Sequence, residues 1–174
     1  TASIMNTHVR DNLKFLNDKF PVATADIDDD AVTWAKIAEI EMVRATRFTN
    51  QNSTTSLAAI TFTAETFDTD TMWAAGSPTR VTLTTAGYYL VTANCQFDSG
   101  TAGSYRIMVV YRNGTTNDAD WICGQSVPAA ASANMNMSAS ALFYFDAADY
   151  IELKVQSGET ETVARASLAA VRAF

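Results

Sequence analysis

The side chains most closely spaced for chemistry in this chain are carboxylates. Asp68 with Asp70, and Asp118 with Asp120, form close pairs. Two carboxylates can cleave a glycosidic bond when they flank it, one as acid and the other as nucleophile or base. An i, i+2 spacing on one segment does not set them across a sugar, and both pairs read as solvated turn residues. Asp26, Asp28 and Asp30 begin like a calcium loop, but Ala31 stands where the sharp turn needs glycine. Ile37 stands where the bidentate glutamate belongs. That stretch reads instead as a linker, or as a helix start with aspartates near its N-terminus. His8 is the single histidine, and neither G-x-S-x-G nor a phosphate loop occurs. The sequence therefore gives no catalytic residue, metal ligand or cofactor site, and the expectation is a non-enzymatic protein. A polysaccharide-degrading enzyme acting through the four paired aspartates is the alternative.

Binding chemistry is better represented. Asn113 to Trp121 carries Asn117, Asp118, Asp120 and Trp121 close together. An indole can stack on the apolar face of a sugar while neighbouring amides and carboxylates bond its hydroxyls. Trp121 either serves that purpose or opens the next strand and packs inward, and Trp73 presents the same choice.

Composition bounds the partners. The 174 residues hold 12 basic and 19 acidic side chains, a net charge of -7, which argues against a nucleic-acid binder. An apolar content of 48% argues against disorder, and only 18% of residues are charged. Polarity comes instead from 23 threonines, which with the aromatics favour strands. Cys95 and Cys123 are too few for a disulfide scaffold and read as two buried thiols, with a bond between them left open. The longest uncharged run, between Asp120 and Asp146, is too rich in Ser, Asn and Gln to cross a bilayer as a helix. Residues 1–20 are too charged for a signal peptide, and the start at Thr1 suggests a processed chain or part of a longer one.

The elements that must carry these residues follow from periodicity. Asn6, Val9, Leu13, Leu16 and Phe20 repeat at 3, 4, 3, 4, and Pro21 ends the pattern. Residues 3–20 are thus expected to form a helix. Two heptads are too short to be stable alone in water. The seam suggests an oligomerising stalk with Val9, Leu13, Leu16 and Phe20 at the interface, the alternative being a helix packed on its own domain. Val32 to Met42 is expected to form a second short helix with Ile37, Ile40 and Val43 as its apolar positions. From Arg44 the period becomes two. Ala59 to Phe67 alternates. After Gly87, the residues Tyr89, Val91, Ala93, Cys95 and Phe97 make a core face. Tyr105 to Arg112 is the next strand, ended by Asn113-Gly114. Its Tyr105, Ile107, Val109 and Tyr111 make one face, and Met108 and Val110 make the other partly apolar as well. A partner subunit is expected over Met108 and Val110. Further strands over 138–145, 150–156 and 165–174 complete a sandwich or barrel.

This strand set resembles a known family. Gly87-Tyr88-Tyr89-Leu90-Val91 is similar to a strand of the trimeric jelly roll shared by complement subcomponent q and tumour necrosis factor. Arg112-Asn113-Gly114 resembles that family's charged-Asn-Gly hairpin, and Phe145 to Leu153 its L-x-x-G-D-x-V-x-L segment, with Ala148 in place of the glycine. The resemblance implies a mostly β, antiparallel jelly-roll head over residues 45–174 that assembles as a homotrimer. A second resemblance covers the N-terminal residues. Met5 to Leu13 is similar to a segment of tailed-phage structural proteins. Asp30 to Ile37 resembles short elements of phage fibre shafts, and Phe67 to Trp73 followed by Arg80-Val81-Thr82 the opening of fibre heads. It implies a virion protein of the tail or fibre, extracellular when acting. Residues 1–44 would be a helical stalk and linker, for oligomerisation or for attachment to other virion proteins. The head would meet a host-surface glycan or protein, with no nucleic acid and no membrane insertion. A capsid decoration or head-fibre protein is the runner-up.

Overall fold

The computed structural model describes residues 40–98, 104–129 and 134–173. The expected helix with Val9, Leu13, Leu16 and Phe20, and the Asp26, Asp28 and Asp30 segment, lie outside the described residues. Ile40–Phe174 form one compact unit.

That unit is an antiparallel jelly roll of two stacked sheets. The first runs β4 (Ala64–Asp68), β1 (Met42–Arg47), β11 (Glu161–Arg172), β6 (Gly87–Phe97) and β9 (Met135–Phe145), with β2 (Gln51–Ser53) also paired to β11. The second runs β3 (Ala58–Ala59), β10 (Tyr150–Ser157), β7 (Tyr105–Arg112) and β8 (Trp121–Pro128), with β5 (Val81–Thr82) also on β10. The helical pattern expected up to Met42 gives way to strand there, because Val43 and Ala45 are fully buried core residues of β1.

Alternation explains β6. Tyr89, Val91, Ala93, Cys95 and Phe97 all point into the core, as the period of two requires. Ile60 and Phe62 are also fully or almost fully buried, yet residues 59–67 are not one strand. The chain leaves the second sheet after Ala59 and joins the first at Ala64, so its hydrogen bonds change sheet while its apolar face stays on the core.

β7 corrects the expected interface. Met108 and Val110 are completely buried between the sheets, against the same core as Val91 and Leu153. They cannot meet another subunit. The strand is apolar on both faces, and its phase in the sheet, not its pattern, decides which face goes inward. Arg106 shares the inward face and is also fully buried. Its Nε donates to Glu161 Oε2 at 2.6 Å, its Nη2 donates to the Asp98 carbonyl, and its guanidinium lies over the Phe97 ring. Arg106 Nη1 and Glu161 Oε1 have no partner among the described residues. A buried ion pair of this kind is costly to break from one side, because the survivor keeps its desolvation penalty.

Candidate functional site: two outward sheet faces

The outward face of the first sheet is built by register. Across β6 and β9 the opposed residues are Tyr88 with Tyr144, Leu90 with Leu142, Thr92 with Ser140, Asn94 with Ser138 and Gln96 with Asn136. No charged side chain occurs in these ten positions. Val171 lies beside Leu90, and Met42 lies beside Val171. One row across four strands is therefore Met42, Val171, Leu90, Leu142. Leu90 is 47% exposed and Leu142 52% exposed. The Tyr88 and Tyr144 rings meet edge-on, 5.3 Å between centroids. Leaving such a row open to water forfeits about 25 cal/mol for each Å² of apolar surface that a partner would cover.

Polarity changes along this face. At the Leu90 end the chain enters β1, where Arg172 N–H donates to the Glu41 carbonyl and Ala173 N–H to that of Tyr88. At the opposite end a hollow of about 550 Å³ is lined by Arg44, Phe48, Asn94, Gln96, Asn136 and Arg165, among others. Apolar side chains thus gather where the domain begins, and amides and guanidiniums at the far end.

The outward face of the second sheet has different chemistry. Lys154 Nζ donates to the Gly114 carbonyl at 2.6 Å, lies 3.4 Å from Glu152 and sits over the Tyr111 ring. At the end of β7 Arg112 has the inward phase, lies over the Phe143 ring, and pairs with Asp120 and, at 3.7 Å, with Asp149. The turn after β7 has Asn113 and Gly114 both at positive φ, 54° and 69°. Asn113 Nδ2 donates to Asp149 and its Oδ1 accepts from Tyr150 N–H, pinning the turn to β10. An asparagine tolerates that backbone and supplies the bonds itself.

Asp120 belongs to this scaffold. Its Oδ2 accepts from the Thr115 hydroxyl at 2.7 Å, and its Oδ1 accepts from Arg112 Nε and Nη2. The Thr115 bond first, then those from Arg112, hold its carboxyl below the ordinary value of 3.8. Asp120 therefore pins the loop that carries Asn117 and Asp118. Asn117 and Asp118 are exposed on the same loop. Trp121 is 48% exposed and does not pack inward. The reason is a bulge: Val110 faces Cys123 but Tyr111 faces Trp121, leaving Ile122 as an extra residue. Cys123 is on the core side, and strict alternation would have sent Trp121 there too. The inserted Ile122 turns the indole out, which is a recognised use of bulges. Trp73, by contrast, packs partly buried against the core.

The other carboxylate pair is also spent on turns. Asp68 Oδ1 accepts from the N–H groups of Asp70 and Met72, and its Oδ2 from that of Trp73. Asp70 accepts from the Thr84 hydroxyl. Cys95 and Cys123 are buried and unbonded, and burial pushes the Cys95 thiol up to about 12 and that of Cys123 to about 11. Thiols held this far from thiolate are poor nucleophiles.

No protein-family model and no curated protein matches the chain. Solved structures do. The globular domain of zebrafish complement 1qA superposes with a TM-score of 0.61 at 11% identity, covering 77% of this chain and 98% of that one. Murine APRIL at pH 8.0 gives 0.58 at 14% identity, covering 77% and 99%. These likenesses establish the fold. They bear out the jelly roll read from the Gly87, Asn113 and Phe145 segments.

Proposed function

We propose that the chain is a non-enzymatic structural and binding module, the head of a homotrimeric virion fibre or spike that attaches to a host surface. One observation carries the assembly: the strip of β6 and β9 centred on Leu90 and Leu142, uncharged in its ten outward positions and half exposed at both leucines in the single chain. Its occupant is a second copy of the chain. An uncharged strip brings no repulsion of its own between identical molecules of net charge -7, whereas a charged one would. The resemblance to the complement q and tumour necrosis factor jelly roll supports three copies. The resemblance of Met5 to Leu13 and Asp30 to Ile37 to phage fibre segments supports the virion setting.

The commitments of the aspartates support the absence of catalysis. Asp68 and Asp120 hold turns through backbone and side-chain donors, and Asp120 stays ionised, which suits neither a general acid nor a proton shuttle. Sedimentation of the full chain at micromolar concentration tests the assembly, and a stable monomer overturns it. A map of the assembled particle tests the setting: density at the tail supports attachment, and density on the capsid supports decoration instead.

A further inference from the structure

The second sheet's outward face carries one feature that folding does not explain. Trp121 is turned into solvent by an inserted residue, at the expense of regular pairing between β7 and β8. Burying an indole inside would have added to the core, and the strand phase set by Cys123 was available for it. The indole also has space prepared for it. Its Nε1 lies 3.1 Å from where a Cβ on Gly124 would stand, and that Cβ would also come within 2.8 Å of the Met108 carbonyl. Glycine at 124 thus lets the ring fold back along β8. The loop leading into Trp121 is held by Asp120 to Arg112 and Thr115, so Asn117 and Asp118 are presented from a fixed base.

We propose that Trp121, Asn117 and Asp118 form a binding site for a neutral, hydroxyl-rich carbohydrate. This deepens the reading of the domain as a binding head and rests on it. Each residue has a part. The indole offers an apolar surface that matches the C–H face of a pyranose ring. The Asp118 carboxylate accepts from sugar hydroxyls, and the Asn117 amide both donates and accepts. The net charge of -7 and the exposed Asp118 disfavour phosphate, sulfate and uronate ligands. The site lies on β8 and its loop, in the sheet that does not carry Leu90 and Leu142.

Saturation-transfer NMR on the full chain tests this, with methyl β-galactoside, methyl α-mannoside and N-acetylglucosamine trimer as probes. At least one probe is expected to receive saturation. Trp121→Ala should weaken its binding by about tenfold or more, Trp121→Phe by less, and Asp118→Ala by an intermediate amount. Transfer to none of the three, or equal transfer with Trp121→Ala, overturns the site. Trp121→Ala should sediment as the wild type does. A trimer that binds no sugar defeats this inference alone, and a monomer that binds sugar defeats only the assembly.

Discussion

The two outward faces of this sandwich differ in chemistry. The first, on β6 and β9, opposes tyrosine to tyrosine and leucine to leucine with no charge in ten positions. The second carries the Lys154–Glu152 ion pair on β10, with Lys154 over the Tyr111 ring, beside the outward Tyr105, Ile107, Val109 and Tyr111 of β7. A face whose polar groups are paired among themselves can stay in water. A face that leaves Leu90 and Leu142 half exposed gains by being covered. The proposed function gives the faces different work: one for copies of the chain, the other for solvent and ligand.

The largest effect is expected where the first face is given a charge. Leu142→Asp leaves the core untouched because residue 142 points outward, but places a carboxylate in each seam, at a cost of several kcal/mol unless it is protonated or wetted. The expected outcome is a folded monomer by light scattering, with unchanged strand content by circular dichroism. A trimer of wild-type stability would erase the distinction between the faces. Next comes the interior they share. Arg106→Ala should cost about 3–5 kcal/mol in urea unfolding of the head, because Glu161 is left charged and buried. Arg106→Met with Glu161→Leu should recover most of that loss, which separates the penalty of an orphaned charge from lost packing. The smallest effect is electrostatic and confined to the turn before β8. The Asp120 carboxyl titrates below its ordinary 3.8, and its ionised form stabilises the fold at neutral pH. That contribution persists down to the ordinary value and is lost as pH falls through the lowered one. Trp121 emission should therefore hold steady from pH 7 to 5 and change in stronger acid, and Asp120→Asn should remove this acid step.

Some of this was written plainly in the sequence. Tyr89 to Phe97 alternates so cleanly that its core face follows from period alone, and the thiol of Cys95 was rightly placed inside. The turn over Asp146 to Asp149 was legible too, although Ala148 holds a φ of 72° that glycine would adopt more easily. Other features were hidden for definable reasons. β7 is apolar on both sides, and an arginine shares the face that proves to be buried. Only its partner Glu161, 55 residues later, makes that placement tolerable. Trp121 could be read either way because a single bulge reverses every residue before it, and bulges leave no periodic mark. The proposed assembly face is hard to read for a related reason: Leu90 and Leu142 stand on the polar sides of strands whose core sides are obvious, while the apolar Met108 and Val110 lie inside the core.

Two aromatic side chains offer the most direct test. Tyr144 on the first face and Trp121 on the second are each 48% exposed in the single chain. Hydroxyl-radical footprinting of the full chain at micromolar concentration measures whether they remain so. Covered by neighbouring copies, Tyr144 should be strongly protected while Trp121 oxidises, and Leu142→Asp should restore the reactivity of Tyr144. Equal oxidation of Tyr144 in the wild type and in Leu142→Asp would contradict the assignment of that face to copies of the chain.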